Sequence, residues 1–317
     1  MRIAVIGGAG YIGSHIVLAL KAAKHEAIVF DNLTSGTKKN IPNTVFVKGD
    51  IRDKNAITAF LKKYRFDAVI HLAALKAAGE SMNDAREFAD VNIGGTITLL
   101  NSMVEAKIKY LIFSSSAAVY GTPQRNPINE QHPTNPESFY GFTKLEIERL
   151  LTWYDRIHGI KAVSLRYFNA AGYDPRITVP EKDPTNLLPV IMEVLKKKRK
   201  QLVVFGNDYP TPDGTCIRDY IHVSDLASAH VSAIRYANTK GSATFNLGTG
   251  KGYSVLDCVK EAKKYGAVPV RTAPRRTGDA AAVFCDAAQA TKALGWHAQH
   301  DLASIIKSMA RVYGMTK

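Results

Sequence analysis

The sequence predicts an α/β protein: a doubly wound parallel sheet followed by a second, smaller α/β unit. Three observations carry this. Short apolar strands alternate with amphipathic helices through the first half of the chain, and such alternation builds a parallel sheet with helices on both faces. The strand segments are runs of Val, Ile, Leu and Ala without polar alternation, as burial on both faces requires. The first strand also runs straight into Gly7-x-x-Gly10-x-x-Gly13 at a helix start, the signature turn of the Rossmann-type fold.

The elements follow in order. Residues 2–7 read as a strand, 11–23 as a helix and 27–31 as the second strand. A third strand covers 45–47 and ends at Gly49-Asp50, and 56–64 is helical. Residues 68–73 form the fourth strand, 92–105 a long helix and 111–115 the fifth strand, with Ser116 at its end. A helix over 140–158 and a strand over 162–168 complete the first unit. After Gly172 the texture changes. Pro175, Pro180, Pro184 and Pro189 cluster, and loop motifs such as GNDYPTPDGT appear. Strands are predicted at 202–205 and 244–247, and helices at 224–236, 255–265, 287–294 and 302–313. We therefore expect a dinucleotide-binding domain over 1–172 and a substrate domain over 173–317, with segments near 220–250 returning to the first.

Composition narrows the function classes. The 317 residues carry 46% hydrophobic and 22% charged side chains, ordinary for a globular chain. No apolar run approaches the roughly 20 residues that span a bilayer, and MRIAVIG turns glycine-rich too soon for a signal peptide. The three cysteines, Cys216, Cys258 and Cys285, are far apart and form no CxxC, which fits reduced thiols in a cytoplasm and no metal site. Net charge is +14. Its densest run, Lys196–Lys200 (KKKRK), reads as a solvated helix C-terminus, where cations suit the dipole. No nucleic-acid module accompanies it. Neither a nucleic acid nor a membrane is an expected partner.

Two constellations carry chemistry. In the first, Gly7, Gly10 and Gly13 let the backbone approach a pyrophosphate at the positive helix N-terminus. Asp31 ends the second strand, where a carboxylate accepts from ribose hydroxyls and repels a 2′-phosphate. No Lys or Arg follows before Lys38, so NAD is expected over NADP. Asp50, at the end of the third strand, is placed to meet an adenine amino group. The second constellation is Tyr140-x-x-x-Lys144, four residues apart on one helix face, with Ser116 at a strand's C-terminal end. A tyrosine titrates near ~10, and a neighbouring ammonium and a cationic nicotinamide stabilise its phenolate. The expected chemistry is hydride transfer at a sugar-like carbinol.

Here the residues carry a resemblance. GGAGYIGSH, DNLTSG, GDIRD, HLAALKAAGES, FSSSAAVYG, YGFTK, LRYFNAAG, NLLP, FGNDYPTPDGTCIRDYIHV, FNLGTG and APRRTGD are similar to the extended short-chain dehydrogenases/reductases, and among them to the UDP-glucose 4-epimerase family. The likeness runs over nearly the whole length. It implies NAD-dependent epimerisation of a UDP-hexose at carbon 4 through a transient 4-keto sugar, by a homodimer joined through four helices. It implies that Tyr11 and Ile12 contact the NAD pyrophosphate and Asp31, Asn32, Ser35 and Gly36 the adenosine ribose. Asp50 and Ile51 flank adenine, and Leu72, Ala73, Ala74 and Lys76 border the pyrophosphate and nicotinamide, with Phe168 beside the latter. Ser116, Tyr140 and Lys144 are catalytic and touch both cofactor and sugar. Asn169, Asn186, Leu187, Val203, Phe205, Arg218, Arg276 and Asp279 hold UDP. Val283, four residues after Asp279, borders the sugar's 2-position. A tyrosine there excludes a 2-acetamido group, so valine is expected to admit it.

The chain departs from the family at three places: Ile6 where many members have Thr, Ala74 at a usual Gly, and Val91 where some have Asn. The rival activities differ at specific residues. A 4,6-dehydratase places Asp-Glu after the catalytic hydroxyl, and a UDP-glucuronate decarboxylase places Glu at the second position; here both are alanine, Ala117 and Ala118. A UDP-glucuronate 4-epimerase and a non-catalytic NAD-binding protein remain as alternatives.

Overall fold

The computed structural model describes residues 1–181, 185–276 and 278–315. Pro184 of the proline cluster and Thr277 of APRRTGD lie outside them. Seven parallel strands form the central sheet: β1 (Arg2–Ile6), β2 (Glu26–Asp31), β3 (Val45–Lys48), β4 (Ala68–His71), β5 (Tyr110–Ser116), β6 (Lys161–Tyr167) and β10 (Ala243–Leu247). Their spatial order is β10-β6-β5-β4-β1-β2-β3. The order reverses between β1 and β4, and open α/β sheets bind ligands at such a switch point, outside the strands' carboxyl ends.

Both faces are sealed by apolar clusters. On one, Ile3, Val5, Val29, Ile70 and Val163 meet Ile16, Val17 and Leu20 from the helix Tyr11–Ala22, and Leu226 and Ala233 from the helix Val223–Lys240. On the other, Ile6, Ile28, Phe30, Leu111 and Phe113 pack on Phe60, Leu99, Met103 and Ile147. This two-sided burial explains the unbroken apolar strands.

The remaining strands build a second layer. β9 (Ile217–His222) pairs with β7 (Asn169–Ala171), β11 (Gly252–Ser254) and β13 (Ala282–Val283), while β8 (Leu202–Phe205) pairs with β12 (Val270–Ala273). The helices Leu187–Leu195, Val255–Ala262 and Leu302–Val312 close over a third cluster that includes Leu188, Ile191, Val259, Ile305 and Ile306.

Several predicted elements change. The strand expected over 68–73 stops at His71, because the Leu72 and Ala73 amides both turn to Ile6 O, at 2.8 and 3.1 Å. The helix expected from 92 opens with a wide turn, Ala89–Gly94, before the α-helix Gly95–Glu105. The helix Leu187–Leu195, whose end the basic run marks, carries Pro189 near its start, where it is tolerated in a first turn whose amides lack helical partners. Lys196 caps that helix, and Lys196–Lys200 are exposed beyond it. Strands β7, β9, β11, β12 and β13 were not anticipated, since most are short and none shows a clean period. Among the described residues no helix is long and apolar enough to cross a membrane, and the three cysteines are buried thiols.

Candidate active site

The glycine turn is built by close backbone approach. Gly7 has φ +82°, and a Cβ there would stand 2.6 Å from Ala73 N; one on Gly13 would stand 2.3 Å from Gly7 O. No larger residue fits either place. Gly10 N-caps the helix Tyr11–Ala22 with no side-chain cap, and its first turn holds no acidic residue. The helix thus presents unpaired amides and the positive end of its dipole. Tyr11, in that first turn, donates its hydroxyl to Gly172 O at 2.6 Å and ties the turn to the start of the second layer.

At the end of β2, Asp31 is buried, accepting from Ala9 N at 3.0 Å through one oxygen and Leu33 N at 2.7 Å through the other. Burial pushes its carboxyl up, and these amides pull it back down. Each oxygen keeps a lone pair for a further donor. Beside it Asn32 donates to Asp50 at 3.1 Å. The Arg52 side chain holds the Asp50 carboxyl down to about 2. Ser35 and Gly36 follow on the rim, with Gly36 pressed on Ala9. Ile51 is buried under Gly95. Leu72, Ala73 and Ala74 line the chain leaving β4, while Lys76 is exposed and pairs with Glu181.

The second constellation assembles where β5 ends. Ser116 closes β5, and Tyr140 and Lys144 occupy the first two turns of the helix Phe139–His158. Ser138 caps that helix by accepting from Gly141 N at 3.1 Å, and the Tyr140 amide donates to Ser81 Oγ at 3.0 Å. The Lys144 ammonium sits 5.7 Å from the Tyr140 ring centre and donates to Ser114 O at 2.8 Å. It is 2% exposed, and burial pulls it down to about 7 against an upward pull from Glu148. Burial also pushes the Tyr140 phenol above its usual value, with the Ser116 hydroxyl working against that. Phe168 lies buried nearby in a cluster with Leu145, against which Ala117 and Val283 pack.

The second layer gathers the residues assigned to UDP. Asn169 Nδ2 donates to Asp219 O at 3.2 Å. Arg218 and Arg276 converge on Asp279, at 3.6 and 2.9 Å. Arg276 stacks over Phe205, 4.8 Å from its centre, and Phe205 and Val203 share β8. Asn186 and Leu187 begin the helix Leu187–Leu195, which has no side-chain cap and no acid in its first turn. Val283 is the register partner of Arg218.

The family described as "NAD dependent epimerase/dehydratase family" matches residues 3–248. The chain belongs to that family. It is 43% identical over 305 residues to the UDP-glucose 4-epimerase of Halalkalibacterium halodurans, covering 95% of this chain and 91% of that one. The UDP-glucose 4-epimerase of Brucella ovis, solved in complex with NAD, superposes with a TM-score of 0.96 at 41% identity, covering 99% and 98% of the two chains. The Stenotrophomonas maltophila UDP-glucose 4-epimerase, solved with NAD and formylated UDP-arabinopyranose, gives 0.95 at 40% identity, with coverage of 99% and 98%.

In this member of the epimerase/dehydratase family, three supporting residues escape a reading of the sequence. Asn92 is fully buried in the wide turn; its side chain exchanges hydrogen bonds with Leu75 N and O and donates to Thr143 on the Tyr140 helix, at 2.8, 3.1 and 3.0 Å. Asp219 is also fully buried and accepts from Thr249 N and Oγ1 and from Gly250 N, at 2.9, 2.7 and 3.0 Å, which fixes the FNLGTG loop. Glu148 pairs with Arg166, the register partner of Ser115 on β5. Only Glu148, four residues after Lys144, left a signal in the sequence.

Proposed function

We propose that this chain interconverts UDP-glucose and UDP-galactose by NAD-dependent inversion at carbon 4. The carrying observation is that Ser116 and Lys144 both stand beside Tyr140, on the sheet whose first strand runs into the glycine turn, in a chain about 40% identical over nearly its whole length to UDP-glucose 4-epimerases. Gly7, Gly10 and Gly13, with the uncapped helix and the spare lone pairs of Asp31, fit a dinucleotide. Tyr11, Ile12, Asn32, Ser35, Gly36, Asp50, Ile51 and Leu72 through Lys76 would hold its remainder.

NAD held by these residues would supply the hydride acceptor and donor for carbon 4. Tyr140 removes the proton from the 4-hydroxyl and later gives it back, and Ser116 bridges the two oxygens. The Lys144 ammonium lowers the cost of phenolate beside it. Arg218 and Arg276 share one carboxylate, Asp279, which leaves a surplus positive charge suited to a diphosphate. Asn169, Asn186, Leu187, Val203 and Phe205 complete the UDP site. Phe168, Ala117 and Val283 form an apolar wall that lets the 4-keto sugar turn and present its other face. The neighbours after Ser116 are Ala117 and Ala118, which supply no acid or base for an elimination. The test is product profiling with UDP-glucose, UDP-galactose, their N-acetyl forms and UDP-glucuronate. Turnover confined to UDP-glucuronate would replace this reading.

Asp31, with no cation before Lys38, makes NAD the expected cofactor. Denatured protein should release NAD; recovery mainly of NADP would refute the assignment. The same reading divides the chain near residue 172, with the stretch through β10 returned to the first unit. It makes the protein a cytoplasmic homodimer. Trp153 and Ile157, one turn apart on the Tyr140 helix, are 57% and 67% exposed, which supports a helical contact there. Trp153→Asp is expected to shift the protein to monomer in sedimentation, and an unchanged dimer would place the contact elsewhere.

A further inference from the structure

Tyr140, Lys144 and Glu148 stand at i, i+4 and i+8 on one helix, so they form one stripe along it. That stripe meets three consecutive residues of β5. Ser116 stands beside the Tyr140 phenol. The Lys144 ammonium donates to Ser114 O at 2.8 Å, and the Ser115 hydroxyl donates to Glu148 Oε1 at 2.5 Å. The neighbouring strand completes the grip. Arg166 is the register partner of Ser115 across β5 and β6, and donates Nε and Nη2 to the two Glu148 oxygens at 3.0 and 2.6 Å. The Glu148 and Arg166 side chains are 9% and 8% exposed.

We propose that Glu148 is a positioning residue for the reaction: it locks the Tyr140 helix to β5 and supplies the buried anion that keeps Lys144 a cation. This rests on the reading that Tyr140 and Lys144 carry the proton chemistry.

A buried ion pair is poorly explained by stability, since apolar side chains of similar size often serve as well. This pair is a helical turn away from a buried lysine that must stay charged. Burial pulls Lys144 down, and Glu148 pulls it up. The other groups around it do not do this. His71 of β4 also faces Lys144, and burial takes it down to about 3, so it is neutral. Arg166 is a cation, held by Glu148 and by the Tyr120 hydroxyl at 2.9 Å. Tyr120 in turn donates to Asn246 Oδ1, and the Asn246 backbone N–H donates to Glu130. Tyr120 is pushed up to about 12 by burial and stays neutral. Burial likewise raises Glu130, which sits beyond Asn246. Removing the Glu148 charge therefore lowers the Lys144 pKa, and the ammonium is lost at lower pH.

The test measures kcat and KM against pH for UDP-galactose, using the full-length, NAD-loaded parent, Glu148→Gln, Glu148→Asp and Arg166→Met. In Glu148→Gln the alkaline limb of kcat should move down by about one pH unit. On that limb kcat should fall about tenfold, since one pKa unit is tenfold in ammonium there. KM should stay within about twofold. Glu148→Asp keeps the charge and should hold the limb near the parent's. Arg166→Met breaks the same ion pair but removes a cation, so its limb should not move down. A merely structural pair would shift both variants alike. Equal limbs in the parent and Glu148→Gln, or the same downward shift in Arg166→Met, would overturn the proposal. If Glu148→Gln does not fold, Glu148→Gln combined with Arg166→Met buries no unpaired charge and should still show the downward limb; an unmoved limb there overturns it equally. A parent that turns over no UDP-sugar would instead overturn the functional reading beneath it.

Discussion

Tyr140→Phe is expected to lower epimerase turnover by about a hundred- to ten-thousand-fold, the usual worth of a general base. NAD content and UDP affinity should stay near the parent's. The substitution removes one oxygen and leaves the ring. Lys144 keeps its bond to Ser114 O and its place over the Phe113 ring, so the helix has no reason to move. The Tyr140 amide, which donates to Ser81, is untouched. The loss should therefore fall on kcat, which is the signature of a group acting in the transition state. The parent's pH profile should carry the same chemistry. Burial raises Tyr140 and lowers Lys144 to about 7. The rate should rise as the phenol gives up its proton and fall as the ammonium gives up its own, with apparent values that belong to the pair. Turnover of Tyr140→Phe within about tenfold of the parent would remove Tyr140 from the base role.

The legible features were those that local chemistry sets. A strand sealed on both faces is an apolar run, so β1, β2 and β5 could be placed to within a residue or so. Gly7 and Gly13 were visible because only glycine tolerates their contacts with Ala73 and with Gly7 O. Tyr140 and Lys144 were visible because four residues is a helical repeat. What stayed hidden depends on partners distant in sequence. Asn92 works through Leu75 and Thr143, 17 and 51 residues away. Asp219 works through Thr249 and Gly250, 30 and 31 residues away. β13 is two residues long and exists because Ala282 and Val283 pair with Ile217 and Arg218. No periodicity can announce such an element.

β13 is also where substrate breadth should be decided. Val283 packs against the cluster that contains Phe168 and Leu145, alongside Ala117, the residue after Ser116. It is partly exposed, so it is a wall with a free side rather than a closed core position. Asn126 holds that wall from both ends, donating Nδ2 to Ala282 O at 3.0 Å and accepting from Phe284 N at 3.2 Å. A valine here leaves space that a tyrosine would fill. An enlarged apolar pocket still accepts the smaller ligand, because size alone discriminates by only about 1–3 kcal/mol. The parent should therefore epimerise both UDP-galactose and UDP-N-acetylgalactosamine. Val283→Tyr should lower kcat/KM for the acetamido sugar by about 10- to 200-fold relative to UDP-galactose. The ratio separates this from simple overpacking, which would depress both substrates together and lower Tm. A parent inactive on the acetamido sugar, or a Val283→Tyr variant with an unchanged ratio, would show that another side chain borders the 2-position.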